Sequence, residues 1–140
     1  GLALTPFSAT AEAGRLRFFA KATGQTQAVY IDEAAARAAG YAALPVPSTF
    51  LFSMELEAPD PSEAQRLLGM DVRHVLHGEQ HFTYHRVAYA GERLHFAPRI
   101  TDIYDKRGGA LEFVVRETAV TDDAGQAVAD LRRVIVLRNR

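Results

Sequence analysis

VLHGEQHFTYHRV, Val75–Val87, reads as one long strand. Leu76, Phe82 and Tyr84 fall on one parity, and Val75, His77, Glu79, His81, Thr83 and His85 on the other. Successive strand side chains point to opposite faces, so the first set is expected to line a core. The second set is expected to face solvent, a partner or a site. The stretch is read as the central strand, with a meander laid beside it and helices upstream for the sheet to cover.

Downstream, every pattern is strand. Ala90-Gly91-Glu92 makes a turn, and Arg93–Tyr104 a second strand with Leu94, Phe96 and Ile100 on one parity. Lys106-Arg107-Gly108-Gly109 supplies a hairpin turn. Ala110–Val120 is a third strand, where Leu111, Phe113 and Val115 alternate against Glu112, Val114 and Arg116. Asp122-Asp123-Ala124-Gly125 turns the chain into a last strand over Ala127–Leu137. Short connections imply antiparallel neighbours.

Upstream, Leu2–Ala9 is an extended lead-in. Thr10 is placed to cap a helix over Ala11–Thr23, in which Leu16, Phe19, Ala20 and Thr23 share a face and Gly24 is the stop. Gln25–Ile31 is a loop, and Asp32 caps a short helix that ends at Gly40. Pro45 and Pro47 stiffen Ala42–Ser48. Thr49–Glu57, TFLFSMELE, is apolar on nearly all sides and fits a buried strand or a buried helix. Helix is preferred, because Pro47 and Ser48 can start one and Ala58-Pro59 ends it. Pro61–Leu68 is a minor surface helix and Gly69–His74 a loop. Helices followed by four strands give an α+β fold whose antiparallel sheet wraps the helix Thr49–Glu57.

The chain has 140 residues, enough for one domain, 1–140, with a real core. A formal net charge of −1 offers no electrostatic attraction for nucleic acid or an anionic membrane. The absence of cysteine excludes disulfides, zinc–thiolate sites and thiol nucleophiles, and suits the cytoplasm. No apolar run reaches the length of a membrane span, and the first residues carry no basic-then-apolar signal pattern. Gly-rich phosphate loops, GxSxG and HExxH are absent from the sequence.

The segments RFFAKATG (17–24), YIDEAAARAAGY (30–41), PVPSTFLF (45–52), HGEQHFTYHRVAYAGERL (77–94), ITDIYDKRGGALEFVVRET (100–118) and DDAGQAVADLRRVIVLRN (122–139) together resemble the N-terminal MaoC-like dehydratase family. That family has the hot-dog fold and includes the non-catalytic subunits of (3R)-hydroxyacyl thioester dehydratases. The resemblance covers nearly the whole chain in the family's order. It implies acyl groups carried on coenzyme A or acyl carrier protein, no cofactor, and pairing as homodimers, heterodimers or fused double hot dogs. At this length the second hot dog must come from another chain.

Catalytic members of the wider MaoC group carry Asp and His in a stretch like GDxNPxHxD after the first helix. The matching stretch here runs Gly24–Asp32, with Gln25 where the Asp stands and Tyr30 where the His stands. Gln27 and Ala28 replace the Asn-Pro of that loop. Hydration of a 2-enoyl thioester needs a base for water and an acid for the α carbon. Gln does not titrate, and an unperturbed Tyr, at a pKa of about 10, is a poor base at neutral pH. No catalytic residue is therefore expected at this pair. Tyr30 is either a residual proton donor or substrate hydrogen bond, or a tyrosine packed against a dimer seam.

Ser48 and Thr49, at the entry of the central helix, are candidates to bind a thioester carbonyl, or are plain helix-cap residues. Phe50, Phe52, Phe82 and Tyr84 are candidates to shape an acyl tunnel. His77, Glu79, His81 and His85 alternate along one strand face, but a nearly flat line of residues lacks the convergence a metal needs, so no metal is expected. A subunit contact or solvated face is the preferred reading. Lys106 and Arg107 could meet a carrier phosphate or simply be solvated at their turn.

The expected function is a hydratase/dehydratase subunit without the dyad, converting (R)-3-hydroxyacyl to 2-enoyl thioesters only alongside a catalytic MaoC-like partner. Two alternatives stand beside it. One is a homodimeric acyl-thioester-binding module without turnover. The other is a hydratase or thioesterase with a rearranged site on Tyr30 or a strand histidine.

Overall fold

The structure is a computed structural model and describes residues 1–139. The elements run β1 (Leu2–Ala3), β2 (Phe7–Thr10), α1 (Ala13–Ala22), α2 (Glu33–Ala38), α3 (Phe50–Glu55), α4 (Glu63–Leu67), β3 (Val75–Tyr84), β4 (Arg93–Lys106), β5 (Leu111–Thr121) and β6 (Ala127–Arg138). All six strands join one antiparallel sheet, ordered β1-β4-β5-β6-β3 with β2 also on β4.

Within residues 49–57 the chain forms a helix rather than a strand, over Phe50–Glu55. At six residues α3 is too short to persist alone, so packing holds it. Phe50, Leu51 and Met54 are buried against Phe7, Leu94, Phe96, Val120, Val128 and Leu131. A second cluster joins Leu4, Ala64, Met70, Ile100, Val114, Ile135 and Leu137. The sheet thus curls around a central helix, as the sequence implies. Asp32 caps α2 as expected, its carboxylate accepting from the Ala34 and Ala35 amides at 2.7 and 3.3 Å. Gly24 follows α1 at φ +71°, where a glycine is favoured. No helix among the described residues is long and apolar enough to cross a membrane.

Four expectations change. Thr10 does not cap α1: it pairs with Arg93 as the last residue of β2, and the helix starts beyond Glu12 without a side-chain cap. Backbone bonds from the Ala11 amide to the Glu92 carbonyl and from the Gly91 amide to the Ala11 carbonyl fix that entry instead.

The strand that opens the argument is an edge strand. β3 pairs with β6 and not with β4, although few residues separate β3 from β4. Those residues are taken by the proline segment: the Val46 amide donates to the Ala88 carbonyl, the Ala90 amide to the Leu44 carbonyl, and Pro45 bridges Tyr89. The chain is thereby carried across the molecule rather than back on itself.

The parity of β3 breaks at Gly78, where the register shifts between His77 and Glu79. A Cβ on Gly78 would lie 2.7 Å from a Val136 methyl and 3.1 Å from the Val134 carbonyl oxygen, so only glycine fits this bulge. Phe82 and Tyr84 face the core as expected. Val75, and not Leu76, joins the second cluster, and Leu76 is 51% exposed.

On β5 Val114, Arg116, Thr118 and Val120 are all buried, so Val114 and Arg116 do not share the exposure of Glu112 with which they alternate, while Val115 is buried as well. Leu111 and Phe113 are only half-buried, and the Phe113 ring stacks on Tyr104 at 4.8 Å.

Candidate functional site

The connection after Tyr84 and the proline segment before α3 run side by side, and between them lies a hollow of about 370 Å³. Its walls include Tyr30, Tyr41, Ser48, Tyr84, His85 and Val87. Tyr30 arrives on a single 3-10 turn, Ala28–Tyr30, whose exit is held by the Ile31 and Asp32 amides donating to the Ala28 carbonyl. Tyr84 ends β3, and its hydroxyl donates to the Ser48 carbonyl at 2.7 Å. Burial, aided by Tyr30, pushes the Tyr84 hydroxyl up to about 12. It therefore stays protonated through the neutral range and works as a donor, not a base.

The amides of Ser48 and Thr49 have no acceptor among the described residues, whereas the Phe50 amide donates to the Pro47 carbonyl. His85 lies across the hollow, its Nε2 2.7 Å from the Asp130 carboxylate. The hollow thus offers tyrosine hydroxyls, the Ser48 residue and one imidazole set by a carboxylate. Tyr84→Phe is expected to cost about 0.5–1.5 kcal/mol in urea unfolding, the scale of one hydrogen bond, and to loosen Ser48.

Of the residues singled out in the sequence, Tyr30, Ser48 and Tyr84 meet here. Gln25 does not line the hollow: its Oε1 accepts from the Gln27 amide inside its own loop. Thr49 is exposed beside it. Phe50 is core, edge-on to Phe19 at 5.1 Å. Phe82 stacks on Tyr84 at 6.3 Å. Phe52 lies elsewhere on α3, edge-on to His77 at 5.1 Å, and the Gly78 bulge is what turns His77 that way.

His81 and Glu79 pair with each other at 3.2 Å. No cluster of three or more His, Asp or Glu suited to a metal occurs among the described residues. A larger hollow of about 540 Å³, lined by His81, Arg99, Glu117, Asp130 and Arg132, belongs to the outer, polar face of the sheet.

Sequence reasoning overlooked two constellations. Ser8 Oγ lies 2.7 Å from His95 Nδ1, and His95 Nε2 lies 2.6 Å from Asp123. Acyl transfer also needs donors facing an oxyanion. Ser8 and His95 are instead cross-strand partners on an exposed surface, and the chain of bonds ties β2 and β4 to the β5–β6 turn. The second is a buried charged strip beneath α3. Glu55, Arg116 and Thr118 are 2, 5 and 1% exposed. Thr118 donates to Glu55, and an Arg116 nitrogen lies 3.4 Å from the same carboxylate oxygen.

The family model described as FAS1-like, dehydratase domain region, matches residues 1–131. A UPF0336 protein of Clavibacter michiganensis subsp. michiganensis is 36% identical over 124 residues, covering 89% of this chain and 82% of its own. Among solved structures, the C-terminally truncated HadBC (3R-hydroxyacyl-ACP dehydratase) complex of Mycobacterium tuberculosis superposes with a TM-score of 0.80 at 24% identity, covering 96% of both chains. The ChsH1-ChsH2 complex of the same organism gives 0.80 at 19% identity, over 97% of this chain and 84% of that one. At these identities the structural likenesses speak for the hot-dog fold alone.

Proposed function

The chain belongs to the FAS1-like dehydratase domain region family, of the MaoC-like hot-dog type, and from that membership we propose that residues 1–140 are one hot-dog subunit of an acyl-thioester hydratase/dehydratase. It works with a catalytic MaoC-like chain, in the cytoplasm, on (R)-3-hydroxyacyl and 2-enoyl groups carried by coenzyme A or acyl carrier protein, within fatty-acid metabolism. The free amides of Ser48 and Thr49 bind the thioester carbonyl. Tyr84, with Phe82 stacked on it, shapes the space for the acyl chain, while Phe50 and Phe52 lie outside that hollow. The likeness of fold to the HadBC (3R-hydroxyacyl-ACP dehydratase) complex and to the ChsH1-ChsH2 complex supports the pairing.

The observation that carries this reading is the pair of positions matching the family's acid and base. One holds Gln25, spent on its own loop, and the other holds Tyr30. Positioned acid–base groups contribute about 10²–10⁴-fold each, so the isolated chain is expected to be silent. The test is hydration of a short 2-enoyl-CoA, followed by loss of enoyl absorbance, with the chain alone and with a catalytic MaoC-like chain added. Silence alone with turnover in the mixture, above that of the catalytic chain by itself, supports the reading.

One observation favours a second reading. His85, held by Asp130, shares the hollow with Tyr30 and Tyr84, which is the arrangement a rearranged acid–base site would use. Turnover by the chain alone, abolished by His85→Ala or Tyr30→Phe, would establish it and remove the first. Silence in both settings leaves an acyl-thioester-binding module.

A further inference from the structure

The chain of bonds from Ser8 through His95 to Asp123 is set from the inside of the sheet outward. On the inner face Phe7 of β2 stacks on Phe96 of β4 at 4.9 Å, and both rings are buried. Neighbouring strand residues point to opposite faces, so the next pair in the register, Ser8 opposite His95, is turned outward side by side. Asp123 reaches His95 from the β5–β6 turn, which is itself held. Asp122 accepts there from the Ala124 and Gln126 amides, both at 2.9 Å, and from Arg86 at 3.0 Å.

The carboxylate fixes the tautomer of the imidazole. A carboxylate only accepts, so the hydrogen between Asp123 and His95, 2.6 Å apart, sits on Nε2. Nδ1 then carries a lone pair, and the Ser8 hydroxyl donates to it at 2.7 Å. The bonds that tie the strands thus also place a base on the Ser8 proton and a carboxylate behind that base to hold its orientation.

Beside the hydroxyl lies a trough of about 290 Å³, walled by Pro6, Ala97, Ala119 and Thr121. Ala97 and Ala119 are cross-strand partners two residues along from His95 and Thr121, on the same outer face, and their small side chains leave the room. That room suits a short acyl group.

We propose that Ser8 is an acyl-acceptor site for short acyl thioesters, with His95 as its base and Asp123 as a positioning residue. Ser8 Oγ attacks the thioester carbonyl carbon as its proton passes to His95 Nδ1. The Oγ–C bond forms, the C–S bond breaks, and the proton returns from His95 to the departing thiolate. Among the described residues that line the trough, only Thr121 adds a side-chain donor for an oxyanion. The transfer is therefore slow and happens once, leaving an ester on Ser8 rather than turnover. This goes beyond the hydratase reading and does not rest on it.

The test is incubation of the whole chain with S-phenyl thioacetate, a thioester that needs no carrier recognition, with the acetyl group mapped by peptide mass spectrometry. Ser8 is expected to gain it at least about tenfold faster than in His95→Gln, which keeps a hydrogen-bonding side chain without a basic nitrogen. Asp123→Asn is expected to slow it comparably, because an amide can donate to Nε2 and leave the proton on Nδ1. A merely structural tie predicts lower urea midpoints in both variants and no acetyl group on Ser8 in any of the three proteins. Acetylation confined to Lys21, Lys106 or the N-terminus, or equal rates at Ser8 with and without His95, overturns the proposal. Should His95→Gln fail to fold by circular dichroism, Ser8→Cys decides. The sequence has no cysteine, so the new thiol is the sole one, and beside the imidazole it is expected to take iodoacetamide at neutral pH at least about tenfold faster than the thiol of Thr26→Cys, at an exposed loop position. Equal alkylation rates overturn the role of His95 as a base.

Discussion

Glu55→Ala is expected to destabilise the isolated chain by about 3–5 kcal/mol, the cost of stranding a buried charge rather than of losing one contact. Glu55 closes α3, where the exposed carbonyls of a helix end disfavour an anion. It stays there because Arg116 and Thr118 hold it from β5. Its removal leaves Arg116, in the strip beneath α3, and Arg133 adjacent, without the buried carboxylate whose charge acts on both. Glu55→Gln retains an acceptor for Thr118 but not the charge, so its cost should fall between that of alanine and zero. The double change Glu55→Leu with Arg116→Leu removes both charges of the pair and should be far milder than Glu55→Ala, since a buried ion pair adds little over apolar residues that fill the same space. Urea unfolding of the three variants checks the ordering. If Glu55→Ala cost no more than Glu55→Leu/Arg116→Leu, the carboxylate would not be compensating the arginines.

That strip also shows where the sequence stops being legible. Period-two reading located the four long strands β3 to β6 but left β1 and β2 inside an extended lead-in, and the proline before and after TFLFSMELE settled helix over strand. What it mis-assigned was facing. On β5 an arginine amid valines is read as the outward residue by hydropathy alone, yet Arg116 points inward because a carboxylate arrives from α3, a partner distant in sequence. On β3 the fault was local and visible: a glycine inside a strand pattern signals a bulge, and Gly78 flips Leu76 outward and His77 toward Phe52. Order within the sheet was not legible either. The segment between β3 and β4 is short enough for a hairpin, and only its pairing with residues 44–46 reveals the crossing. At the candidate site, Tyr30, Ser48 and Tyr84 were legible through the resemblance. His85 was weighed with the other strand histidines, as part of a polar face or of a rearranged site, and not singled out, because its partner Asp130 comes from the neighbouring strand.

Leu51→Ala should cost about 2–5 kcal/mol, the range for truncating a buried leucine whose surroundings cannot collapse. Leu51 is fully buried among the residues that join α3 to the curved sheet. The sheet around it is a continuous antiparallel ladder with little freedom to close on a void. The helix has no stability of its own to fall back on at six residues. The loss should therefore spread to the residues that α3 positions, first of all Ser48, whose carbonyl is held by Tyr84. Hydrogen exchange would register this as faster exchange at the Val46 amide, which now donates to Ala88 along the same segment. Phe52→Ala supplies the contrast. Phe52 is only half-buried at the β3 edge, so its truncation should cost the isolated chain less than Leu51→Ala. It should cost more once another chain covers that edge. Equal costs at the two positions in the isolated chain would mean that α3 is not held mainly from its buried face, and the account of the fold as a sheet closed on one helix would have to be given up.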